Sequence, residues 1–333
     1  MASIFNFMTL EQIADTQKVS PLLDLSDPMQ RARDFIAANA TRQELVFPSG
    51  IYRYSVSPNW AINDITVKNK GQVKLRYVGN GDAVIMDAGL SGWKYNITFG
   101  NFIIEGESTT HNGVYLRSIH HSNIGLNVRG CGADYAGMLI HFSVCNRYNQ
   151  FTCSNNEANW YLGHSPKNGI IVDRRNVGES STANIFDNPI IEHVSGDGIT
   201  LLYADQNHFI SGTSEGCGGV GIRTSAGAGN NKFNSIDLEV NAGGDVIESG
   251  LMNIYEDIFS MTSVTFNGTK GVMRGGHVAN IINNGAYTDL DNVVYARLPS
   301  GGTIIDNGIK LSKRNVYNQL ADTFDDDMIR GNR

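Results

Sequence analysis

Proline is scarce in this chain, at 7 residues, while glycine is abundant, at 37 of 333. Many flexible turns with few rigid ones point to a β-rich chain that bends often. Cysteine is also rare: Cys131, Cys145, Cys153 and Cys217 have no metal-ligand spacing. Most fall near predicted strands, where a thiol packs as a small hydrophobe, and all four read as reduced. No metal and no cofactor is expected, since neither a P-loop nor a dinucleotide fingerprint is complete. No apolar run approaches the roughly 18 residues of a membrane span, so membrane insertion is not expected. Positive charge is not in excess either. The net charge of −7 argues against a general nucleic-acid partner, which needs a basic face for phosphates. Met1 to Gln17 has neither the basic start nor the apolar stretch of a secretory signal, so synthesis in a cytoplasm without export by that route is expected.

What is present is a repeat. An asparagine leading into a short apolar strand returns at Asn96, Asn123, Asn146, Asn184, Asn207, Asn231, Asn253 and Asn280, in steps of 27, 23, 38, 23, 24, 22 and 27 residues. A glycine opening a second strand advances with it, at Gly113, Gly137, Gly169, Gly198, Gly221 and Gly271. The long step implies one coil with an insertion, placed within Asn155 to Lys167. A coil of roughly 23 residues is too small to bury its own apolar face, but stacked coils share a continuous core. The expected fold is all-β, a right-handed parallel β-helix with three short strands per coil and an asparagine ladder inside one turn.

Such a solenoid needs its ends covered. Ser26-Asp27-Pro28 carries an N-cap signal with proline at an early helical position. Met29, Ala32, Phe35 and Ile36 then share one face of a capping helix that ends near Asn39. The expected organisation is an N-terminal segment with this helix over 1–44, the β-helix over 45–305 starting with LVFPSGIYRY, and a polar tail over 306–333.

The helix SDPMQRARDFIAAN, the LVFPSGIY strand and the coils from Ser26 to Ile305 resemble the pectate-lyase-like superfamily of β-helices. Within it, they are most similar to phage tailspikes and virion-borne polysaccharide depolymerases. The Asp-Gly-x-x-Asp-Asp-Thr stretch that often precedes the cap helix in that superfamily is missing here. The resemblance implies a homotrimer, a virion-associated or released protein and a bacterial surface polysaccharide as partner.

Aligning the coils on the asparagine puts Glu192, Glu215 and Glu239 at the same offset of eight residues, from Asn184, Asn207 and Asn231. Rungs stack about 4.8 Å apart, so these carboxylates would form an outward column with Asp237 on the same face. Stacked carboxylates are the equipment of glycoside hydrolysis, which needs one acid and one base or nucleophile. Glu192, Glu215, Asp237 and Glu239 are the catalytic candidates. Trp160 in the insertion could stack on a sugar or fill the core. His193, Arg174 and Arg223 are candidate substrate-binding groups, the arginines for an acidic sugar. Asn96-Ile97-Thr98 and Asn267-Gly268-Thr269 match the glycosylation sequon by chance. Three functions remain open: a polysaccharide hydrolase, a polysaccharide lyase or uronate epimerase, and a non-catalytic glycan-binding or structural virion protein.

Overall fold

Strands too short to stand alone pair in parallel with their equivalents one coil away. Ile185 pairs with His208, His208 with Lys232, and Lys232 with Ile254. A computed structural model describes residues 1–39, 44–154, 160–295 and 302–318, with the backbone of Thr323–Phe324. The chain winds as a parallel β-helix with three sheets along its length. A glycine-led sheet includes Val114–Arg117, Ala136–His141, Asn168–Asp173, Ile199–Leu201 and Ile222–Thr224. An asparagine-led sheet includes Arg147–Asn149, Ile185–Asp187, His208–Ile210 and Lys232–Asn234. The third sheet includes Thr152–Cys153, Ile190–Glu192, Thr213–Glu215 and Asp237–Glu239.

In-register stacking places like on like inside the core. On the asparagine-led sheet Tyr148, Phe186, Phe209, Phe233 and Tyr255 form one buried aromatic column, with ring centroids 4.2 to 5.0 Å apart. Offset stacking of this kind adds about 0.5–1.5 kcal/mol per pair to the area buried.

The turn before that sheet holds the ladder. Asn146, Asn184, Asn207, Asn231 and Asn253 are all buried, each preceded by a residue with positive φ. Asn184 is typical of them. Its backbone N–H and Nδ2 donate to Asn207 Oδ1 at 3.0 and 2.8 Å, and Nδ2 also donates to Ser143 O at 2.9 Å. The corner is thus satisfied without water, which a tight buried turn requires.

Three expected members stand elsewhere. Asn96 is exposed and donates to Asp64, Asn123 opens the following strand, and Asn280 donates to Thr262 O near the glycine-led sheet. Ser122 takes the slot next to Asn146, its N–H donating to Asn146 Oδ1. At the other end no asparagine follows Asn253, because Ile254 pairs with Val272 and the coil has shortened to 18 residues. Asn253 Nδ2 turns to the Glu248 carboxylate at 3.0 and 3.1 Å. Glu248 is fully buried and also accepts from Thr224 Oγ1, Tyr255 Oη and the Gly250 amide. This buried carboxylate is held by converging hydrogen-bond donors.

The insertion is divided. The pairing offset is 38 residues at Cys153 and Ile191, 29 at Ile170 and Ile199, and 23 at Ile185 and His208. Part of the added length therefore lies between Cys153 and Ile170, as expected, and part between Val172 and Ile185. Residues 155–159 of the expected insertion lie outside the described residues.

Helix α1, Leu10–Thr16, precedes α2, Ser26–Ala38, at the N-terminal end. Met29, Ala32 and Ile36 are buried, whereas Phe35 is 44% exposed and meets Phe7 at a tilt, ring centroids 5.5 Å apart. The N-cap position is Leu25, without a side-chain cap bond. Ser26 Oγ is engaged by Asp24 and by the amides of Ser55 and Val56, so the expected cap tethers the helix to the first coil instead. Pairing runs past Ile305, through Ile309–Arg314 and Tyr317–Asn318.

Replacing Asn207 by alanine removes the acceptor for two Asn184 donors and the donor for Ser181 O. It should cost about 2–4 kcal/mol, read as a lower urea midpoint with unchanged slope. Glu248→Gln should also destabilise, since it turns an acceptor into a donor facing donors.

Candidate functional site

On the third sheet, Glu192 pairs in register with Glu215, and Glu215 with Glu239. Ile191, Ser214 and Leu238 beside them are fully buried, so strand alternation turns the glutamates outward. Asp237, exposed, stands two residues before Glu239 on the same face. Toward the N-terminus the column is basic and compensated. Arg53 pairs with Arg76 and Arg76 with Glu105. The buried Glu105 binds Lys74 Nζ at 2.7 Å and Arg76 Nη2 at 2.8 Å. From Glu192 onward the next two positions in register are again glutamates.

The acidic column has a closed end and an open end. Glu192 is 6% exposed and accepts from Ser154 Oγ. The insertion covers the adjoining turn: Ser195 N donates to Pro166 O at 3.0 Å, and Ser165 Oγ reaches His193 O at 3.4 Å. Glu215 and Glu239 are half-exposed. His193 follows Glu192 with φ of +54°, and its amide donates to Glu215 O at 2.8 Å. Its ring lies over Gly216, where a Cβ would meet Nδ1 at 2.5 Å. Glycine there, at φ +60°, keeps the imidazole beside the column.

A shallow groove of about 420 Å³ lies on the coils before the column, at the corner with the asparagine-led sheet, and Ile190, on the strand that carries Glu192, lines its edge. Asn101, Asn127, Gln150, Thr152 and Asn188 supply neutral polar groups over an apolar floor that includes Phe102 and Leu126. Asn127 Oδ1 is buried there with no hydrogen-bond partner among the described residues. Amides above apolar surface suit a ligand that carries both hydroxyls and C–H faces.

Other candidates fall away from this face. Trp160 is 7% exposed and belongs to the core, so its ring is not offered to a sugar. Arg174 lies over the Tyr203 ring at 3.4 Å. Arg223 is on the glycine-led sheet, bound to Asp197 at 2.5 Å.

The glycine-led sheet carries a polar cluster that alignment on asparagine missed. Tyr115 Oη is 3.2 Å from His141 Nδ1, and Arg117 grips Asp87 through Nε at 2.6 Å and Nη2 at 2.5 Å. His141 pairs in register with Arg117 on one side and Asp173 on the other. Burial pushes the His141 pKa down, opposed by the Asp173 carboxylate, and burial pushes the Tyr115 phenol up. Aligned on Gly113, Gly137 and Gly169, these residues share one offset: Arg117, His141 and Asp173 each lie four residues on.

No protein-family model matches the chain, and no curated protein sequence matches it. Solved structures are similar to it. The ORF18 protein of Geobacillus virus E2 superposes with a TM-score of 0.57 at 13% identity, covering 95% of this chain and 61% of that one. The GH136 lacto-N-biosidase of Eubacterium ramulus gives 0.55 at 11%, covering 95% and 67%. The enzymatically active domain of tailspike protein 2 of bacteriophage CBA120 gives 0.53 at 12%, covering 94% and 46%. The chain spans less than two thirds of the length of the two viral proteins. What it shares with all three is the fold, a right-handed parallel β-helix.

Proposed function

We propose that this protein acts on a bacterial surface polysaccharide as a tailspike-like depolymerase of the glycoside hydrolase type, with Glu192, Glu215, Asp237 and Glu239 lining its site. The observation that carries this reading is the in-register run of outward glutamates on three successive coils, and the groove of neutral amides on the coils before them supports it. Neighbouring rungs lie about 4.8 Å apart, close to the roughly 5 Å between carboxyl groups in retaining hydrolysis. Rungs two apart, Glu192 and Glu239, approach the roughly 9.5 Å upper limit for inversion. Glu215 and Glu239 at the open end are the pair we favour, with His193 orienting the sugar. An acidic face repels polyuronates, so a neutral glycan is the expected substrate. On the resemblance to tailspikes, association with a virion as a homotrimer is expected, with the oligomeric state to be measured by sedimentation.

A second reading, a lyase or epimerase acting on an acidic sugar, is favoured by the Tyr115–His141 contact with Arg117 alongside. An imidazole kept neutral by burial is a competent base.

Incubation with a panel of capsular and O-antigen polysaccharides separates the readings. New reducing ends without unsaturated uronate, falling on the order of 100-fold or more in Glu215→Gln and Glu239→Gln, are expected. Unsaturation lost in His141→Ala would move the assignment to the glycine-led sheet. Binding without turnover, unchanged by either glutamate variant, would sink the hydrolase in favour of an adhesin.

The titration of His141 is a separate check. Its folded pKa is lowered, so the folded chain takes up its proton at lower pH than the unfolded chain does. The stability this confers is present above about pH 6.5 and is lost as pH falls through that value toward the folded pKa. Imidazole NMR should place the His141 midpoint below about 6.5, and lower still in Asp173→Asn.

A further inference from the structure

His120, His121 and Cys145 form a cluster that neither reading of the glycan faces uses. Their ligand atoms all lie within 4.8 Å of one another, although the residues come from two coils. Backbone pairing creates this proximity. His120 bridges in parallel to Val144, and the His121 amide donates to Val144 O at 3.2 Å. His121 and Cys145 are therefore successive rungs of one corner, and both are held in the left-handed region, with φ of +47° and +55°. Ala183, the next residue of that column, offers only a methyl group.

We propose that His120, His121 and Cys145 bind a thiophilic divalent d-block ion, zinc by preference, which clips two consecutive coils together at this corner. Two imidazoles and a thiolate suit zinc, with water completing a tetrahedron. No carboxylate belongs to the cluster, which disfavours calcium and magnesium. As the sulfur–metal bond forms, the thiol proton passes to solvent.

The surroundings permit the rearrangement this needs. The His120 and His121 rings are stacked at 4.1 Å and 25°, so one must turn for both nitrogens to point at a single ion. His120 is half-buried, with its ring 5.3 Å from Trp93, whereas His121 is exposed and its ring has solvent on one side to turn into. The nearby Arg175 guanidinium is neutralised by Glu179 at 2.6 and 3.0 Å.

Cys145 can be read without interference. The other three cysteines are buried, with burial pushing the Cys131 thiol up to about 12 and Cys217 up to about 11. Titrating the full chain with Co²⁺ should give the absorption of a four-coordinate ion with a thiolate-to-cobalt charge-transfer band. That band should vanish in Cys145→Ser and on displacement by zinc. Affinity should fall at least about tenfold in His120→Ala and in His121→Gln, with circular dichroism checking that each variant folds. Zinc should also slow alkylation of Cys145 and raise the unfolding midpoint of the native chain but not of Cys145→Ser. Cobalt binding without charge transfer, histidine variants that bind like the native chain, or alkylation indifferent to zinc would each overturn the site.

Discussion

Everything in this molecule hangs on the parallel, in-register pairing of one coil with the next. A rung repeat converts an offset in sequence into a neighbour in space, so each column contains one kind of residue many times over. For apolar side chains the result is favourable at once, as in the aromatic column from Tyr148 to Tyr255. For buried amides it is favourable because asparagine carries both a donor and an acceptor, and each rung satisfies the next. Carboxylates gain nothing from being stacked, since they accept only.

The chain answers that problem in two ways. Where a carboxylate must be buried, donors converge on it. Glu105 receives Lys74 and Arg76, and Glu248 receives two hydroxyls, an asparagine amide and a backbone amide. Where carboxylates follow one another, from Glu192 to Glu239, the column is turned outward and only its first member is covered. Repulsion between such groups is tolerable in water and grows as a ligand excludes water.

The fold was legible because the asparagine and glycine spacings report the coil length directly. Errors arose where the same letter serves another purpose. Asn96 and Asn123 stand one residue before and one after the ladder position, Asn280 lies near another sheet, and Ser122 does an asparagine's work, its amide donating to Asn146 and its hydroxyl accepting from the Ile97 amide. The glutamate column was legible for the same reason as the ladder, since equal offsets become equal rungs. Trp160 was not, because an insertion obeys no period and its burial depends on the coils it covers. Tyr115 and His141 required alignment on the glycine, the marker for their own sheet. Ligand spacing could not have found the corner cluster, because Cys145 meets His120 and His121 across a rung.

The insertion is where periodicity and site meet. A solenoid tolerates added residues at a corner because the strands on either side keep their register, here Cys153 with Ile191 and Ile170 with Ile199. Added length therefore costs the core nothing and can be spent on the surface. Pro166 and Lys167 bind the backbone of Ser195 and Gly196, just beyond His193. The covered Glu192 and the imidazole lying over Gly216 become fixed groups, while Glu215 and Glu239 stay open to solvent. A uniform column would present equivalent carboxylates with nothing to distinguish acid from base. Burial separates Glu192 from the half-exposed Glu215 and Glu239, so identical residues of one column stand in different environments.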